Sequence, residues 1–126
     1  MEKNTKNEMN KIVSELKRSK KVEAILLFGS HAKGTDKKLS DVDIAVVSKN
    51  PDKSIESEVS SCSSKIFDVV NFHRLPVYIQ FEALKYGKLL FVKDKKNLLE
   101  TRKAVLSEYL EMSDFYEKLS RRISAS

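Results

Sequence analysis

Apolar residues near the N-terminus recur every three or four positions, which predicts an amphipathic helix. Its apolar stripe consists of Met9, Ile12, Val13 and Leu16. The block at 22–28 is mostly apolar and short enough for a buried strand. A polar stretch at 31–40, typical of a loop, separates this strand from residues 41–47, which alternate and then become apolar, as a second strand does. A short helix is expected around residues 55–59.

The second half of the chain predicts one more strand, a helix, a short strand and a long final helix. Residues 65–72 are rich in β-branched and aromatic side chains and predict the third strand. Pro76 opens a helix that runs to about Tyr86, and Gly87 is the residue expected just past its end. Residues 88–93 predict a fourth, short strand.

The final helix is predicted over residues 95–123, with an apolar stripe along its whole length. The stripe contains residues at seven-residue steps, Leu98, Val105, Met112 and Leu119, together with Tyr109, Tyr116 and Ile123. Such a helix is longer than a small sheet can cover, so we expect part of the stripe to form a protein interface, with a homodimer as one possibility.

These elements predict an α/β or α+β fold, a small mixed β-sheet flanked by helices with a long C-terminal helix. The chain has 126 residues, which predicts a single domain over 1–126. Within it, we expect a core at about 10–94 and the long helix at about 95–123.

Composition narrows the class of protein. One cysteine, Cys62, excludes an intramolecular disulfide and a cysteine-only zinc site. No apolar stretch could span a bilayer and no export signal is visible, so we expect a cytoplasmic protein with no membrane partner. The net charge of +6 permits binding of phosphates, nucleotides, nucleic acid or an acidic protein face, but is not by itself a nucleic-acid signature.

The informative motif is Gly29-Ser30, ten residues, and then Asp41-x-Asp43. A glycine at a strand end lets the backbone approach a ligand, and Ser30 offers an N–H and a hydroxyl to phosphate oxygens. Two carboxylates at i and i+2 of a strand point the same way and repel unless a cation lies between them. Oxygen ligands favour Mg²⁺ or Mn²⁺. A third carboxylate, Asp68, lies in an apolar run where an uncompensated charge is costly, and neighbouring strands would add it to a two-metal site.

This motif resembles the signature of nucleotidyltransferases of the DNA polymerase β type. The short N-terminal helix, the stretches at 67–76 and 84–94 and the long final helix further resemble the minimal nucleotidyltransferases called MNT domains. Such proteins are commonly the antitoxin half of HEPN/MNT toxin–antitoxin pairs. The resemblance covers about residues 10–122.

The resemblance implies a role for each residue that matches the motif. Gly29 and Ser30 bind the β- and γ-phosphates of a nucleoside triphosphate, expected to be ATP. Asp41 and Asp43 bind two Mg²⁺ ions, with Mn²⁺ as a substitute. Asp68 shares one metal and helps to deprotonate the attacking hydroxyl, which displaces pyrophosphate from the α-phosphorus.

Other residues of the nucleotide-binding group are predicted to be His31, Lys33 and Ser40, which follow Ser30 or precede Asp41. Many relatives have arginine at the first two of these positions. Lysine keeps the charge without the bidentate fork, and histidine is mostly neutral at pH 7, so the affinity for triphosphate is expected to be weaker.

The function expected from the resemblance is transfer of AMP to a hydroxyl, with tyrosine expected, of a HEPN ribonuclease toxin. Two alternatives stay open: neutralisation of the toxin by binding alone, and adenylylation of a small molecule or a nucleic-acid end. A glycosyltransferase would also use Asp-x-Asp, but the chain is short for its usual domain. A hydrolase triad of Ser30 or Cys62 with His31 or His73 has no recognisable nucleophile context.

Overall fold

The structure, a computed structural model, describes residues 2–29, 32 and 41–125. Its helices are α1 (Lys3–Leu16), α2 (Lys53–Ser61), α3 (Val77–Tyr86) and α4 (Lys95–Ala125). Its strands are β1 (Val22–Phe28), β2 (Val42–Ser48), β3 (Phe67–Asn71) and β4 (Lys88–Val92). The expected mixture of helices and strands is therefore confirmed, and β1 has the predicted bounds.

The strands form one mixed sheet in the order β3-β2-β1-β4. Strand β1 is antiparallel to both β2 and β4, whereas β2 and β3 are parallel. The parallel pair is joined by a crossover that contains α2, as parallel strands require. Strand β3 is shorter than the predicted 65–72, because the chain turns into a 3₁₀ turn at Phe72–Arg74.

Helices cover both faces of the sheet and bury two apolar clusters. The first joins α1 and α2 to one face through Leu16, Ile55 and Phe67, each at most 1% exposed. The second joins α3 and α4 to the other face, where Phe72 and Ala83 lie among the side chains of β1 and β2. Because both faces are covered, most strand side chains are apolar, and the polar ones, such as Glu23, Asp43 and Ser48, lie near the ends of the strands.

The long helix α4 packs on the sheet only along its N-terminal part. Leu98 and Val105 are buried, and Tyr109 stacks on Phe81 of α3 with ring centroids 4.0 Å apart. From Ser113 to Ser124 every residue of α4 is exposed. The expectation that the apolar stripe extends beyond the sheet is confirmed. No helix in the described part of the chain is long and apolar enough to cross a membrane.

Candidate active site

The directions of the strands bring the predicted catalytic residues to the same end of the sheet, where β1 ends and where β2 and β3 begin. Strand β1 ends at Phe28, which is paired with Asp43 near the start of β2. Strand β3 runs parallel to β2, so it also begins at this end of the sheet. Gly29, Asp43 and Asp68 therefore lie on three adjacent strands, in the spatial order β1, β2, β3.

Asp43 and Asp68 are direct neighbours across the β2–β3 pair. Residues in register on adjacent strands are about 4.8 Å apart along the hydrogen-bonding direction and direct their side chains to the same face. The shared face is the one covered by α3 and α4, since Ala45 and Val70, two residues further along each strand, pack there. Asp43 is half-buried and Asp68 is exposed, so the two carboxylates lie side by side at an end of the sheet that solvent can reach.

Asp41 lies one residue before β2 and is exposed. Its neighbour Val42 donates its N–H to the carbonyl of Ile66 at 2.8 Å, which fixes the start of β2 against the start of β3. The alternation of side chains along an extended backbone directs Asp41 to the same side as Asp43. The sequence-based expectation that the two aspartates share a face is consistent with this geometry.

Serines in the segment before β3 hold Asp68 in place. The Ser63 hydroxyl accepts from the Val69 N–H at 3.0 Å and donates to the Val69 carbonyl at 3.2 Å. Ser64 closes a turn by accepting from the Phe67 N–H at 3.2 Å. These bonds give hydrogen-bond partners to the backbone of Phe67 and Val69, the residues on either side of Asp68, along the side of β3 that does not pair with β2. From the sequence this segment is only a serine-rich stretch. Nothing in its spacing predicts that the hydroxyls of Ser63 and Ser64 form hydrogen bonds with the backbone of β3.

Two features of the structure require glycine at position 29: the conformation of its backbone and the lack of space for a side chain. Its φ is +73°, a conformation that side-chain-bearing residues rarely adopt. A Cβ at this position would lie 2.4 Å from Oδ2 of Asp43, inside the contact distance of the two atoms. The backbone at the end of β1 thus comes against the carboxylate of Asp43. The sequence motif predicted a close approach of this backbone to a ligand, and that stays a prediction.

Four predicted nucleotide-binding residues lie outside the described residues. They are Ser30, His31, Lys33 and Ser40. Their roles, and the loop expected at 31–40, stay predictions.

The donor set suits a hard divalent cation that arrives with phosphate. Asp43 and Asp68 supply only oxygen, which Mg²⁺ prefers, and Mg²⁺ in proteins is usually held by one or two carboxylates together with substrate phosphates. Among residues 2–29, 32 and 41–125, no three His, Cys, Asp or Glu side chains are grouped so that they could hold a metal ion. The pair therefore fits shared coordination with a triphosphate, and the three-carboxylate arrangement stays a prediction.

One argument used for Asp68 was wrong. Its place in an apolar run suggested a buried charge in need of compensation, but Asp68 is the second residue of the edge strand β3 and its side chain is exposed. Two side chains that follow β3 have contacts away from this site. Arg74 binds Glu56 of α2 through Nε and Nη2 at 2.9 and 2.6 Å, and His73 Nε2 lies 2.8 Å from the Ser48 carbonyl.

The surroundings of Cys62 differ from those of a catalytic thiol. It ends α2, and its Sγ–H donates to the Glu58 carbonyl at 3.5 Å. Burial raises the pKa of this thiol, and the charge of Glu15 acts in the same direction, so less of the reactive thiolate is present at neutral pH. No part of a nucleophile–histidine arrangement is found at Cys62 among the described contacts.

A residue that sequence reasoning undervalued is Gly87, between α3 and β4. It was predicted as a helix-ending glycine, yet its φ is −67°, which any residue adopts. Space is the actual reason, because a Cβ here would lie 2.1 Å from the Ala83 carbonyl oxygen and 3.0 Å from that of Leu27. This packing starts β4 beside the end of β1, next to Gly29, and no sequence spacing signalled it.

The structure thus places the glycine turn at the end of β1 against Asp43 of the antiparallel strand β2, with Asp68 beside Asp43 on β3. The family model described as "Polymerase beta, Nucleotidyltransferase" matches residues 10–96. The chain belongs to the polymerase beta nucleotidyltransferase family.

One curated relative, from Methanocaldococcus jannaschii, is named as a protein adenylyltransferase and is 38% identical over 71 residues. The match spans 56% of this chain and 57% of that protein, so the chain matches little more than half the length of this relative.

Solved structures of toxin–antitoxin complexes share the fold. A chain of a toxin–antitoxin complex with AMP-PNP superposes with a TM-score of 0.67 at 21% identity, covering 93% of this chain and 96% of that one. A chain from a complex of tri-AMPylated Shewanella oneidensis HEPN toxin with MNT antitoxin gives a TM-score of 0.67 at 20% identity and covers 94% and 97%. A nucleotidyltransferase structure from Sulfolobus solfataricus gives 0.52 at 22% identity and covers 69% and 79%.

Proposed function

We propose that this chain is a Mg²⁺-dependent adenylyltransferase that transfers AMP from ATP to a hydroxyl, a tyrosine side chain, of a cognate HEPN ribonuclease toxin and so neutralises it. The observation that carries the proposal is the pairing of Asp43 with Asp68 in register beside the turn at Gly29. The toxin is proposed as partner because similar folds occur in complexes with HEPN toxins, and the cytoplasm is the proposed location.

The proposed reaction needs an α-phosphorus held between an acceptor oxygen and the leaving pyrophosphate. Gly29 and Ser30 would hold the β- and γ-phosphates through backbone N–H groups, helped by His31, Lys33 and Ser40. Asp41, Asp43 and Asp68 would hold the metal ions, of which two are proposed. When bound, Mg²⁺ or Mn²⁺ neutralises phosphate charge as it develops.

Asp68 is the residue we assign to the acceptor side. It lies on β3, on the far side of Asp43 from Gly29, and its exposure leaves it accessible to a hydroxyl on another protein. The acceptor oxygen forms a bond to the α-phosphorus, the bond from that phosphorus to the bridging oxygen of pyrophosphate breaks, and the hydroxyl proton passes to the Asp68 carboxylate. Positioning and charge neutralisation supply most of the rate enhancement in such transfers.

Neutralisation by binding alone is the second candidate, and a separate observation favours it. The exposed C-terminal part of α4 presents large apolar side chains, among them Phe115 and Tyr116, which suit a protein partner. This candidate assigns no role to the adjacent carboxylates of Asp43 and Asp68. Adenylylation of a small molecule or a nucleic-acid end would use the same carboxylates with a different acceptor.

The test is intact-mass spectrometry of the HEPN toxin encoded beside this chain, after incubation with this protein, ATP and Mg²⁺. We expect the toxin to gain one or more AMP units, and no gain with the Asp43→Asn variant or without Mg²⁺. Peptide mapping should place the AMP on tyrosine. A stable complex without a mass change would support binding alone, and neither complex nor mass change would point to another acceptor.

A further inference from the structure

The C-terminal part of α4, residues 113–125, extends past the body of the protein. Every residue from Ser113 to Ser124 is exposed, yet Tyr116 and Ile123 continue the stripe that is buried further back at Val105. Tyr116 is 60% exposed and Ile123 is 68% exposed. We call residues 113–125 the overhang; apolar side chains exposed along one face of a helix are typical of a surface that binds another protein.

A groove with apolar lining residues begins where the overhang extends beyond the rest of the protein. It lies between the start of α3 and the middle of α4, has a volume of about 580 Å³, and is lined by Tyr78, Tyr109 and Met112 among others. Glu108 stands at its rim and is exposed. The overhang is ~20 Å long and the groove follows about two turns of α4, ~12 Å, so an overhang is long enough to fill a groove.

Ser113 and Tyr116 of the overhang line the near end of this groove, and the residues after Tyr116 continue along the same helix and do not line it. We propose that the overhang of a second copy occupies this groove, and that the two copies exchange overhangs around a two-fold axis. The α4 helices then run antiparallel, and each copy both supplies an overhang and receives one, which gives a closed dimer. This inference does not depend on the proposed catalytic function.

Charge complementarity selects the second copy and the antiparallel direction. Along the stripe, Leu119 of one copy faces Tyr109 of the other, and Tyr116 faces Met112. In this register Arg122, which flanks the stripe, comes beside Glu108 at the rim of the other groove, twice by symmetry. A parallel arrangement would bring Arg122 against Arg122.

The remaining charges of the overhang point away from this contact. Asp114 pairs with Lys118 at 3.1 Å, and Glu117 pairs with Arg121 at 2.6 Å, both one helical turn apart. These four side chains form the face of α4 opposite the stripe. That face therefore carries paired, solvated charges, while the opposite face carries the unburied apolar side chains.

The experiment measures the dissociation constant of the dimer by sedimentation equilibrium with the full chain, without nucleotide or toxin. We expect the wild-type chain to be dimeric at micromolar concentration. Glu108→Arg and Arg122→Glu should each weaken the dimer by about tenfold or more, since two symmetric contacts become repulsive. The double variant, which exchanges the two charges, should recover most of the lost affinity. Leu119→Asp should abolish the dimer.

Arg121→Glu is the matched control, because it reverses a charge one residue from Arg122 but on the opposite face, and it should leave the dimer unchanged. Circular dichroism checks that each variant keeps its helix. A monomeric wild-type chain would overturn the proposal, as would a dimer that all variants leave intact. A monomer whose binding to the toxin is lost with Leu119→Asp would also overturn it and assign the groove to the toxin.

Discussion

We expect the Asp43→Asn variant to lose AMP transfer by on the order of 10²–10³-fold or more while it keeps its fold. Asparagine has nearly the same shape as aspartate but carries no charge, so it cannot neutralise a cation beside the phosphates. The half-buried position of Asp43 between Gly29 and Asp68 makes this charge the centre of the proposed site. The measurement is the initial rate of toxin modification at saturating ATP and Mg²⁺.

Asp68→Asn should show a comparable loss, and Asp94→Asn serves as the matched control. Asp94 lies at the opposite end of the sheet, just after β4. Its carboxylate caps α4 by accepting a hydrogen bond from the Lys96 N–H at 2.9 Å. Asparagine also caps helices, so the Asp94→Asn variant should keep wild-type activity and stability. Equal activity of wild-type protein and Asp43→Asn would exclude Asp43 from the chemistry.

The second large effect is expected from Gly29→Ala. The new Cβ would overlap Oδ2 of Asp43 at 2.4 Å, so the carboxylate must move away from its place beside the turn. The φ of +73° adds a backbone cost of about 1 kcal/mol, which for a chain of this size lowers the melting temperature by a few degrees. Because Asp43 is displaced, we expect transfer to fall by about tenfold to a hundredfold, more than the loss of stability explains.

Val46→Ala separates the two effects of Gly29→Ala. Val46 is fully buried on β2, on the opposite face from Asp43, and its truncation leaves a small cavity that destabilises the protein by roughly 1–3 kcal/mol. Its melting temperature should fall at least as far, yet its activity well below that temperature should stay near wild type. If Val46→Ala and Gly29→Ala lose activity in proportion to stability, the turn has no special role at the site.

Much of this architecture follows from short-range patterns in the sequence. Strand β1 could be predicted because a mostly apolar block of seven residues ends at a glycine, and α4 because its stripe keeps one period over many turns. The motif Asp41-x-Asp43 also predicted that the two aspartates share a face. Local spacing carries such information because it fixes which side chains share a face.

Longer-range relations could not be predicted in the same way. The order of strands depends on which surfaces bury most apolar area, and nothing near Lys88 in the sequence places β4 beside β1. The exposure of Asp68 likewise depends on its place at the start of the edge strand β3, whereas its neighbours Phe67 and Val69 belong to the cluster on the other face and are buried. The hydroxyl of Ser63 pins β3 through a contact six residues away, in a stretch whose composition only suggested a loop.

The most direct test of the central claim follows the phosphate that is transferred. Wild-type protein and toxin are incubated with Mg²⁺ and ATP labelled on either the α- or the γ-phosphorus, and the label bound to the toxin is counted. Nucleotidyl transfer predicts that the α-label enters the toxin while the γ-label appears in pyrophosphate, and that Asp43→Asn stops both. Entry of the γ-label into the toxin, or α-label transfer that Asp43→Asn leaves unchanged, would contradict the proposed function.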